Sequence, residues 1–336
     1  MNLEEIKQYM VSIDEKSFRG EQIFQAFNKH GILDIEKINI LPETLRLNLA
    51  RNNNVNIATI LKRFDSKIDN TKKYLFLLED ENIIEGVSME YTHGLTACIS
   101  TQVGCKMGCE FCASTKAGLI RNLSPAEMLN QIYLMEKDLG RGVNNIVLMG
   151  SGEPLDNYDN TVKFINIIGD KKGHNLSLRN ITLSTCGVVP KIYDLANENI
   201  PITLSISLHS PFDEERKKIM PIARRYSIAE LMEACRYYEK NTKRRITFEY
   251  TLIEGVNDSK KDAIELNKIL RGINGHINLI PLNPIIEYNK DSPSRENVER
   301  FQNLLKSYNI PVTIRREKGN DISASCGQLR RSYSEE

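Results

Sequence analysis

The sequence has no apolar run approaching the roughly 20 residues that a membrane-spanning helix requires, so no membrane protein is predicted. Residues 1–18 alternate acidic, basic and apolar side chains, which is not the pattern of a signal peptide, and we expect a cytoplasmic protein. Glycine and proline are few, 19 and 11 of 336 residues, which excludes a collagen-like or low-complexity chain. The net charge of only +1 gives no overall attraction to polyanions, so a nucleic acid would have to be bound by local patches.

Apolar residues make up 40% of the chain and charged residues 26%, which is the composition of a globular protein of about two domains. The spacing of apolar residues is helical up to about Asn52. Two β-rich runs, residues 74–78 and 83–91, are separated by an acidic turn and predict a hairpin. We therefore divide the chain into a helical domain (residues 1–73), a β-hairpin (74–92), a core (93–316) and a C-terminal segment (317–336).

Beyond residue 92, short β-rich runs alternate with helical patterns. The predicted strands are residues 96–100, 146–149, 181–184, 202–207, 246–252, 277–280 and 312–316. Such alternation predicts parallel strands joined by right-handed helical crossovers. Polar residues cluster where the strands end, which favours a partial or complete (β/α) barrel over a doubly wound sheet, although periodicity alone does not separate the two.

Three cysteines, Cys105, Cys109 and Cys112, fall within eight residues directly after a predicted strand. Because the seven cysteines belong to a chain expected in a reducing compartment, they indicate metal-binding or catalytic thiols instead of a disulfide framework. Three thiolates can hold an iron–sulfur cluster and leave one iron without a protein ligand. Two alternatives remain open: a structural zinc site with Cys98 as the fourth ligand, and a chance group of inert buried cysteines.

The Cys-x3-Cys-x2-Cys spacing, with Phe111 before the last thiol, resembles the signature of the radical S-adenosylmethionine (radical SAM) superfamily. This resemblance implies that Cys105, Cys109 and Cys112 bind a [4Fe-4S] cluster whose open iron chelates S-adenosylmethionine. In that superfamily one electron from the cluster splits the cofactor and gives a 5′-deoxyadenosyl radical.

Eight blocks in chain order resemble the RlmN/Cfr family of radical SAM RNA adenine methyltransferases. The blocks begin at Cys98, Cys112, Gly152, Leu183, Ser205, Met220, Asn278 and Cys326. Residues 18–24 likewise resemble the small helical accessory domain of that family. The resemblance implies an α/β fold, a radical SAM (β/α) partial barrel with a small N-terminal helical domain and a β-hairpin extension. Residues 317–336 would form a C-terminal segment carrying Cys326.

The resemblance implies catalytic roles for three residues outside the cysteine motif. Adenine C2 is not nucleophilic, so the family first places a methyl group on a protein thiol, which Cys326 matches. Two S-adenosylmethionine molecules are then used per turnover, one as methyl donor and one as radical source. Cys98 matches the thiol that releases the RNA adduct by forming a transient disulfide with Cys326. Glu85 matches the proton acceptor, whereas alone it would be interpreted as a surface charge on a hairpin.

The residues predicted to bind the cofactor follow the strands. Gly152 allows the main chain to approach a ligand closely, and Glu153 can accept hydrogen bonds from the ammonium group of the methionine part. By resemblance, the carboxylate, ribose and adenine parts are held at the positions of Ser184, Ser207, Leu208, His209 and Asn283. Without the resemblance, Gly152 and Glu153 would indicate only a turn, and His209 a structural histidine.

The predicted substrates are 23S rRNA and tRNA, methylated at C2 of an adenosine in the peptidyl-transferase centre and of the adenosine 3′ of the anticodon. RNA would be bound by basic groups at Lys217-Lys218, Arg224-Arg225, residues 243–245, Arg315-Arg316 with Lys318, and Arg330-Arg331. We also expect an electron donor such as flavodoxin or ferredoxin, and a monomer. The alternatives are C8 methylation of the same rRNA adenosine, as in Cfr-like antibiotic-resistance enzymes, and a zinc-stabilised RNA-binding protein without catalysis.

Overall fold

The computed structural model of the protein describes residues 1–52 and 57–330. Three helices come first: α1 (Leu3–Ser12), α2 (Phe18–Asn28) and α3 (Glu43–Asn52). The start of α1 is capped reciprocally, because the Asn2 side chain accepts a hydrogen bond from the Glu5 amide and the Glu5 carboxylate accepts one from the Asn2 amide. The helical pattern predicted for this part is confirmed. No helix within the two described ranges is long and apolar enough to cross a membrane.

Three antiparallel strands follow: β1 (Ala58–Asp65), β2 (Lys72–Leu78) and β3 (Ile83–Tyr91). Strands β2 and β3 pair with each other and confirm the predicted hairpin. Strand β1 corrects the prediction of a helical unit without strands up to residue 73, because it pairs with β2 along its length. Most of β1 is exposed at the edge of the sheet, so its sequence lacks the alternation of a half-buried strand.

The parallel part of the sheet begins at β4 (Gly94–Cys98), which is antiparallel to β3. Strands β5 (Gln102–Gly104) and β6 (Leu119–Asn122) form a separate two-stranded sheet and enclose the cysteine segment. The main sheet then continues with β7 (Asn145–Leu148), β8 (Ile181–Thr185), β9 (Thr203–Ser207), β10 (Ile246–Leu252), β11 (Gly275–Pro281) and β12 (Val312–Ile314). The predicted strands are thus confirmed, with shifts of one or two residues at some ends.

Helices connect these strands. They are α4 (Pro125–Leu139), α5 (Tyr158–Ile168), α6 (Val189–Asn197), α7 (Asp213–Ile219), α8 (Ile228–Thr242), α9 (Lys260–Ile269) and α10 (Arg295–Ser307). In the sheet, β4 and β7 to β12 follow one another in chain order without a reversal. Right-handed crossovers in a single direction place the helices on one face, which is the arrangement of a (β/α) partial barrel and not of a doubly wound sheet. The side chains of Ile146, Leu183 and Phe248 are fully buried in this core.

Candidate active site

A cavity opens where the parallel strands end, with an empty volume of about 920 Å³. Its walls come from the cysteine segment, the turn after β7, the ends of β8 to β11 and the C-terminal segment. The predicted site residues that line it are Cys105, Cys109, Cys112, Gly152, Glu153, Ser184, Ser207, His209, Asn283 and Cys326. Because the carboxyl ends of parallel strands meet at one edge of a sheet, side chains that are far apart in the sequence converge there.

The cysteine segment is a loop held by its own main chain. The Cys105 amide donates a hydrogen bond to the Gly118 carbonyl at 3.1 Å, which closes the loop at its base. The Thr115 hydroxyl donates to the Cys112 carbonyl at 2.9 Å. Gly108 lies between the first two cysteines with φ +71°, a backbone conformation that favours glycine. These contacts define the shape of the loop that carries the three thiols.

Two further hydrogen bonds attach the same loop to distant parts of the chain. The Glu110 amide donates to the Ile219 carbonyl at the end of α7 at 3.0 Å. The Ala113 amide donates to the Gly327 carbonyl at 2.7 Å. The loop is thus tied both to the barrel and to the C-terminal segment, next to Cys326.

Burial raises the pKa of all three loop thiols, that of Cys105 to about 12 and that of Cys109 well above its ordinary value. Cysteine binds metals as the thiolate, so metal binding would remove these protons. Three thiols on one cavity wall are the donor set of a [4Fe-4S] cluster with one open iron, and the residues present fit that group. Within the described ranges, no three His, Cys, Asp or Glu side chains are grouped closely enough to enclose a single metal ion.

Cys98 does not lie with the three loop cysteines. It ends β4 and packs in a small cluster with Val87 and Leu329. It lines a second cavity, in which the other cysteine is Cys326. This placement contradicts the alternative of a zinc site with Cys98 as the fourth ligand, because a closed tetrahedral site needs all four ligands around one ion.

The turn after β7 enters the cavity because two of its residues are glycines. A Cβ atom on Gly150 would lie 2.6 Å from the Ile99 carbonyl oxygen, and one on Gly152 would lie 2.6 Å from the Gln102 side chain. Gly152 also has φ +108°, a backbone conformation that residues other than glycine rarely adopt. The glycines therefore let the turn pack directly against the chain from Ile99 to Gln102, where β5 begins.

The Glu153 carboxylate, carried by this turn, is buried and fixed by main-chain donors. The amide of Leu155 donates to one carboxylate oxygen at 3.0 Å, and the amide of Cys186 donates to the other at 2.7 Å. Burial raises the pKa of Glu153. A fixed carboxylate on the wall of a cavity is suited to accept hydrogen bonds from an ammonium group.

Ser184 and Ser207 both line the cavity from the ends of β8 and β9. Leu208 does not, because its side chain is fully buried in the core. Its amide donates to the Glu249 carbonyl at 3.0 Å, and its carbonyl accepts from Arg216 at 3.0 Å. The structure therefore does not bring Leu208 to the cavity wall, and its role in cofactor binding stays a prediction.

His209 follows β9 in a left-handed conformation, with φ +56°. Its Nδ1 accepts a hydrogen bond from the Thr251 amide at 2.8 Å, so the ring hydrogen is on Nε2. The Asn257 side chain donates to the His209 carbonyl at 2.8 Å, and the Phe111 ring meets the imidazole edge-on at 4.7 Å. Burial lowers the pKa of His209 to about 3, so the ring is neutral at neutral pH.

Cys326 lies between two cavities. The second cavity has an empty volume of about 520 Å³ and shares Met149, Ile280, Asn283, Arg315 and Cys326 with the first. Cys98 also lines the second cavity, and burial raises its pKa to about 12. All seven cysteines are free thiols, so the transient disulfide between Cys98 and Cys326 stays a prediction.

Glu85 lines neither cavity, although it lies on the same face of β3 as Val87, the cross-strand partner of Cys98. Its carboxylate is buried, accepts a hydrogen bond from the Arg330 amide at 2.7 Å and is 3.5 Å from the Lys73 ammonium. Burial raises the pKa of Glu85. The role of Glu85 as a proton acceptor stays a prediction.

The structure adds two residues to the site. Arg315, assigned above to an RNA-binding patch, instead lines both cavities, with its guanidinium 4.0 Å from the Glu249 carboxylate. Glu249 is buried and accepts hydrogen bonds from Ser205 at 2.8 Å and Asn278 at 2.9 Å. A single charged residue inside the β-rich run 246–252 was the signal in the sequence for Glu249. Arg331, of the predicted basic pair Arg330-Arg331, lies outside the described residues, as does the rest of the segment after residue 330.

Comparison with known proteins assigns the family. Residues 99–266 match the radical SAM superfamily. A protein of Clostridioides difficile (strain 630) named "Probable dual-specificity RNA methyltransferase RlmN" is 53% identical over 330 residues, which is 98% of this chain and 96% of that protein. The chain belongs to the RlmN family of radical SAM proteins. A protein of Alkaliphilus oremlandii (strain OhILAs) with the same printed name is 55% identical over 333 residues, which is 99% of this chain and 97% of that protein.

The fold agrees with this assignment. The crystal structure of a radical SAM methyltransferase from Sphaerobacter thermophilus matches the RlmN family chain described here with a TM-score of 0.95 and 42% sequence identity. The match covers 98% of this chain and 97% of the other. The resemblance to the RlmN/Cfr family and the predicted radical SAM partial barrel are thereby confirmed.

Proposed function

We propose that the protein is a radical SAM methyltransferase that methylates C2 of adenosine in 23S rRNA, at the peptidyl-transferase centre, and of the adenosine 3′ of the anticodon in some tRNAs. The relatives described above are named as dual-specificity RNA methyltransferases, which supports RNA as the substrate. The observation that carries the proposal is the position of Cys326, which lines both the cavity of the three loop cysteines and the cavity of Cys98.

Cys105, Cys109 and Cys112 would hold the [4Fe-4S] cluster, and Glu153, Ser184, Ser207 and Asn283 would bind parts of S-adenosylmethionine beside it. When bound, the cluster and the cofactor supply a methyl group and a radical that removes a hydrogen atom, with two cofactor molecules used per turnover. The Glu153 carboxylate orients the ammonium end of the cofactor, because main-chain amides hold both of its oxygens in place. The Phe111 ring and the side chains of Met107, Met149 and Met220 on the cavity wall would exclude water.

Cys326 would carry the one-carbon group between cofactor and RNA. Its sulfur would accept the methyl group, and removal of one hydrogen atom by the 5′-deoxyadenosyl radical would leave an S-methylene radical that bonds to adenine C2. Glu85 would accept the proton that leaves C2, and the remaining unpaired electron would return to the oxidised cluster, which restores the aromatic ring. The Cys98 thiolate would then attack the Cys326 sulfur, which breaks the carbon–sulfur bond, forms a disulfide and leaves the electron pair on the methyl carbon for protonation. A thiol reductant would restore both cysteines.

We assign RNA contacts to residues 1–73 and to exposed basic residues, the radical SAM core to residues 93–316 with its extension at 74–92, and the methyl carrier to the segment 317–336. Lys217 is half-buried and Lys218 is exposed, and among the described residues their ion pairs are with Glu214 and Glu215 of their own helix, which leaves them available to phosphates. We also propose that the protein is a monomer in the cytoplasm and that flavodoxin or ferredoxin reduces its cluster.

Nucleoside analysis by mass spectrometry tests the proposal. The anaerobically reconstituted enzyme is incubated with S-adenosylmethionine, a reductant and 23S rRNA or tRNA that lacks the modification. We expect 2-methyladenosine in both RNAs, and none with Cys326→Ala. Detection of 8-methyladenosine without 2-methyladenosine would assign the chain to the Cfr-like reaction. Stoichiometric zinc without iron or sulfide in the purified protein would reject radical chemistry and leave an RNA-binding protein.

A further inference from the structure

Arg216 is a buried cation that forms no ion pair with any described residue, although the Asp213 carboxylate of the same helix partly offsets the effect of burial on its charge. Its side chain, in α7, is 1% exposed and is among the largest fully buried side chains of the described residues. Nε donates to the Leu208 carbonyl at 3.0 Å, and one terminal nitrogen donates to the carbonyls of Cys186 at 2.7 Å and Ser207 at 3.1 Å. In the part of the chain that the structure describes, no carboxylate oxygen lies within the 4.0 Å of an ion pair.

Three carbonyl dipoles satisfy hydrogen-bond donors of Arg216 but do not neutralise its charge. A buried ion without a counter-ion is unfavourable in a medium of low polarity, and burial lowers the pKa of Arg216 accordingly. The positive charge therefore favours any negative charge that is introduced nearby.

The cysteine loop is the neighbour on which this charge acts. At the end of α7, the carbonyl of Ile219 accepts the Glu110 amide of the loop at 3.0 Å. Cys109 packs against the small apolar cluster that Ile219 forms with Cys186 and Met220. The Cys186 carbonyl accepts the 2.7 Å hydrogen bond from the guanidinium, so the charge lies beside the apolar cluster against which Cys109 packs.

We propose that Arg216 is a positioning residue whose buried charge raises the reduction potential of the cluster bound by Cys105, Cys109 and Cys112. With three thiolate ligands the cluster is an anion, and accepting an electron makes it more negative. A fixed cation in a desolvated position stabilises the reduced form more than the oxidised form, because the attraction grows with the charge of the cluster. This inference rests on the proposed function, since it requires that cluster.

Redox titration of the reconstituted enzyme, followed by electron paramagnetic resonance of the reduced cluster, tests the inference without RNA or S-adenosylmethionine. Arg216→Gln removes the charge and keeps hydrogen-bond donors, whereas Arg216→Lys keeps the charge. Arg224→Gln removes an exposed charge from the same region and is the matched control. Iron and sulfide per chain are measured for every variant.

At the potential that half-reduces the wild-type cluster, we expect the ratio of reduced to oxidised cluster to fall at least tenfold in Arg216→Gln. For a one-electron couple this corresponds to a shift of about 59 mV to lower potential. In Arg216→Lys and Arg224→Gln the ratio should stay within about threefold of wild type. Loss of the cluster in Arg216→Gln with full loading in Arg216→Lys also supports the inference, because the charge then decides whether the anion is held.

An unchanged potential in Arg216→Gln overturns the inference. So does a lysine variant that shifts like the glutamine variant or fails to hold the cluster, because the shape of the guanidinium and not its charge would then be decisive. If the wild-type protein itself holds no iron–sulfur cluster, the proposed function fails before this comparison is made, so the two failures are distinguishable.

Discussion

The side-chain amide of Asn283 donates a hydrogen bond to the main-chain carbonyl of Cys326 at 3.0 Å. Two other bonds hold the same segment: the Ala113 amide to the Gly327 carbonyl at 2.7 Å, and the Gln328 side chain to the Pro284 carbonyl at 3.1 Å. The main chain around Cys326 is thus held by residues 283–284 and by Ala113 of the cysteine loop, while its sulfur forms no disulfide.

Removing these bonds should reduce methylation of Cys326. In Asn283→Ala and Gln328→Ala, the C-terminal segment loses one hydrogen bond, worth about 0.5–1.5 kcal/mol, and the thiol is presented less often to the cavity. We expect a smaller S-methylated fraction of Cys326 in protein isolated from cells, measured by peptide mass spectrometry. Asn297→Ala, which removes an exposed hydrogen bond to Glu254, is the control. Wild-type methylation in both test variants would show that these bonds do not position the thiol.

Replacing Cys98 should stop the reaction after the RNA has become attached. Cys98 and Cys326 line one cavity, so in Cys98→Ala no thiol is available there to release the adduct. We expect a covalent protein–RNA complex on denaturing gels with labelled RNA, whereas Cys326→Ala should retain iron but form no adduct. Cys235→Ala removes a cysteine buried in the core and should release RNA normally. Free methylated RNA at the normal rate from Cys98→Ala would exclude the releasing role.

An alanine at Gly150 should destabilise the protein. Its Cβ would lie 2.6 Å from the Ile99 carbonyl oxygen, a contact that forces the main chain apart. We expect a loss of about 1–3 kcal/mol in the free energy of unfolding, measured by denaturant titration, together with weaker S-adenosylmethionine binding. Gly142→Ala is the matched control, because its nearest neighbour would be 3.7 Å away, and it should change the free energy by less than about 0.5 kcal/mol. Equal stability of the two variants would contradict the predicted clash.

Burial of His209 should make folding stability depend on pH. Its pKa is about 3 in the folded protein and near its ordinary value of 6.5 in the unfolded chain, so between these values the unfolded chain binds more protons. The contribution of neutral His209 to the free energy of unfolding is therefore complete above about pH 6.5 and is lost as the pH falls toward 3. Between pH 7 and 5 we expect wild type to lose about 2 kcal/mol more than His209→Gln in the free energy of unfolding.

This comparison uses protein of equal iron content, and His30→Gln, which changes an exposed histidine, should behave like wild type. The same pH slope in wild type and His209→Gln would show that His209 is not held neutral by burial.

Much of the fold could be predicted from the sequence, because β-rich runs and helical periodicity alternate regularly after residue 92. Strand β1 could not, since an exposed edge strand carries little apolar alternation. The polar residues at the strand ends and the family resemblance favoured a barrel over a doubly wound sheet, whereas the strand order that confirms it depends on tertiary pairing.

The site was partly predictable. The loop cysteines are close in the sequence, so their spacing alone indicated a metal centre. The proximity of Cys98 and Cys326 depends on how β4 and the C-terminal segment pack, and only the family resemblance suggested it. Arg216 gave no signal, because an arginine in the charged helix α7 is indistinguishable by composition from its exposed neighbours.

Cys326 lines two adjoining cavities, so a group carried on its sulfur would be next to both of them at once. In the proposed reaction, a methyl group received in one cavity would therefore reach a substrate in the other without a large movement of the C-terminal segment.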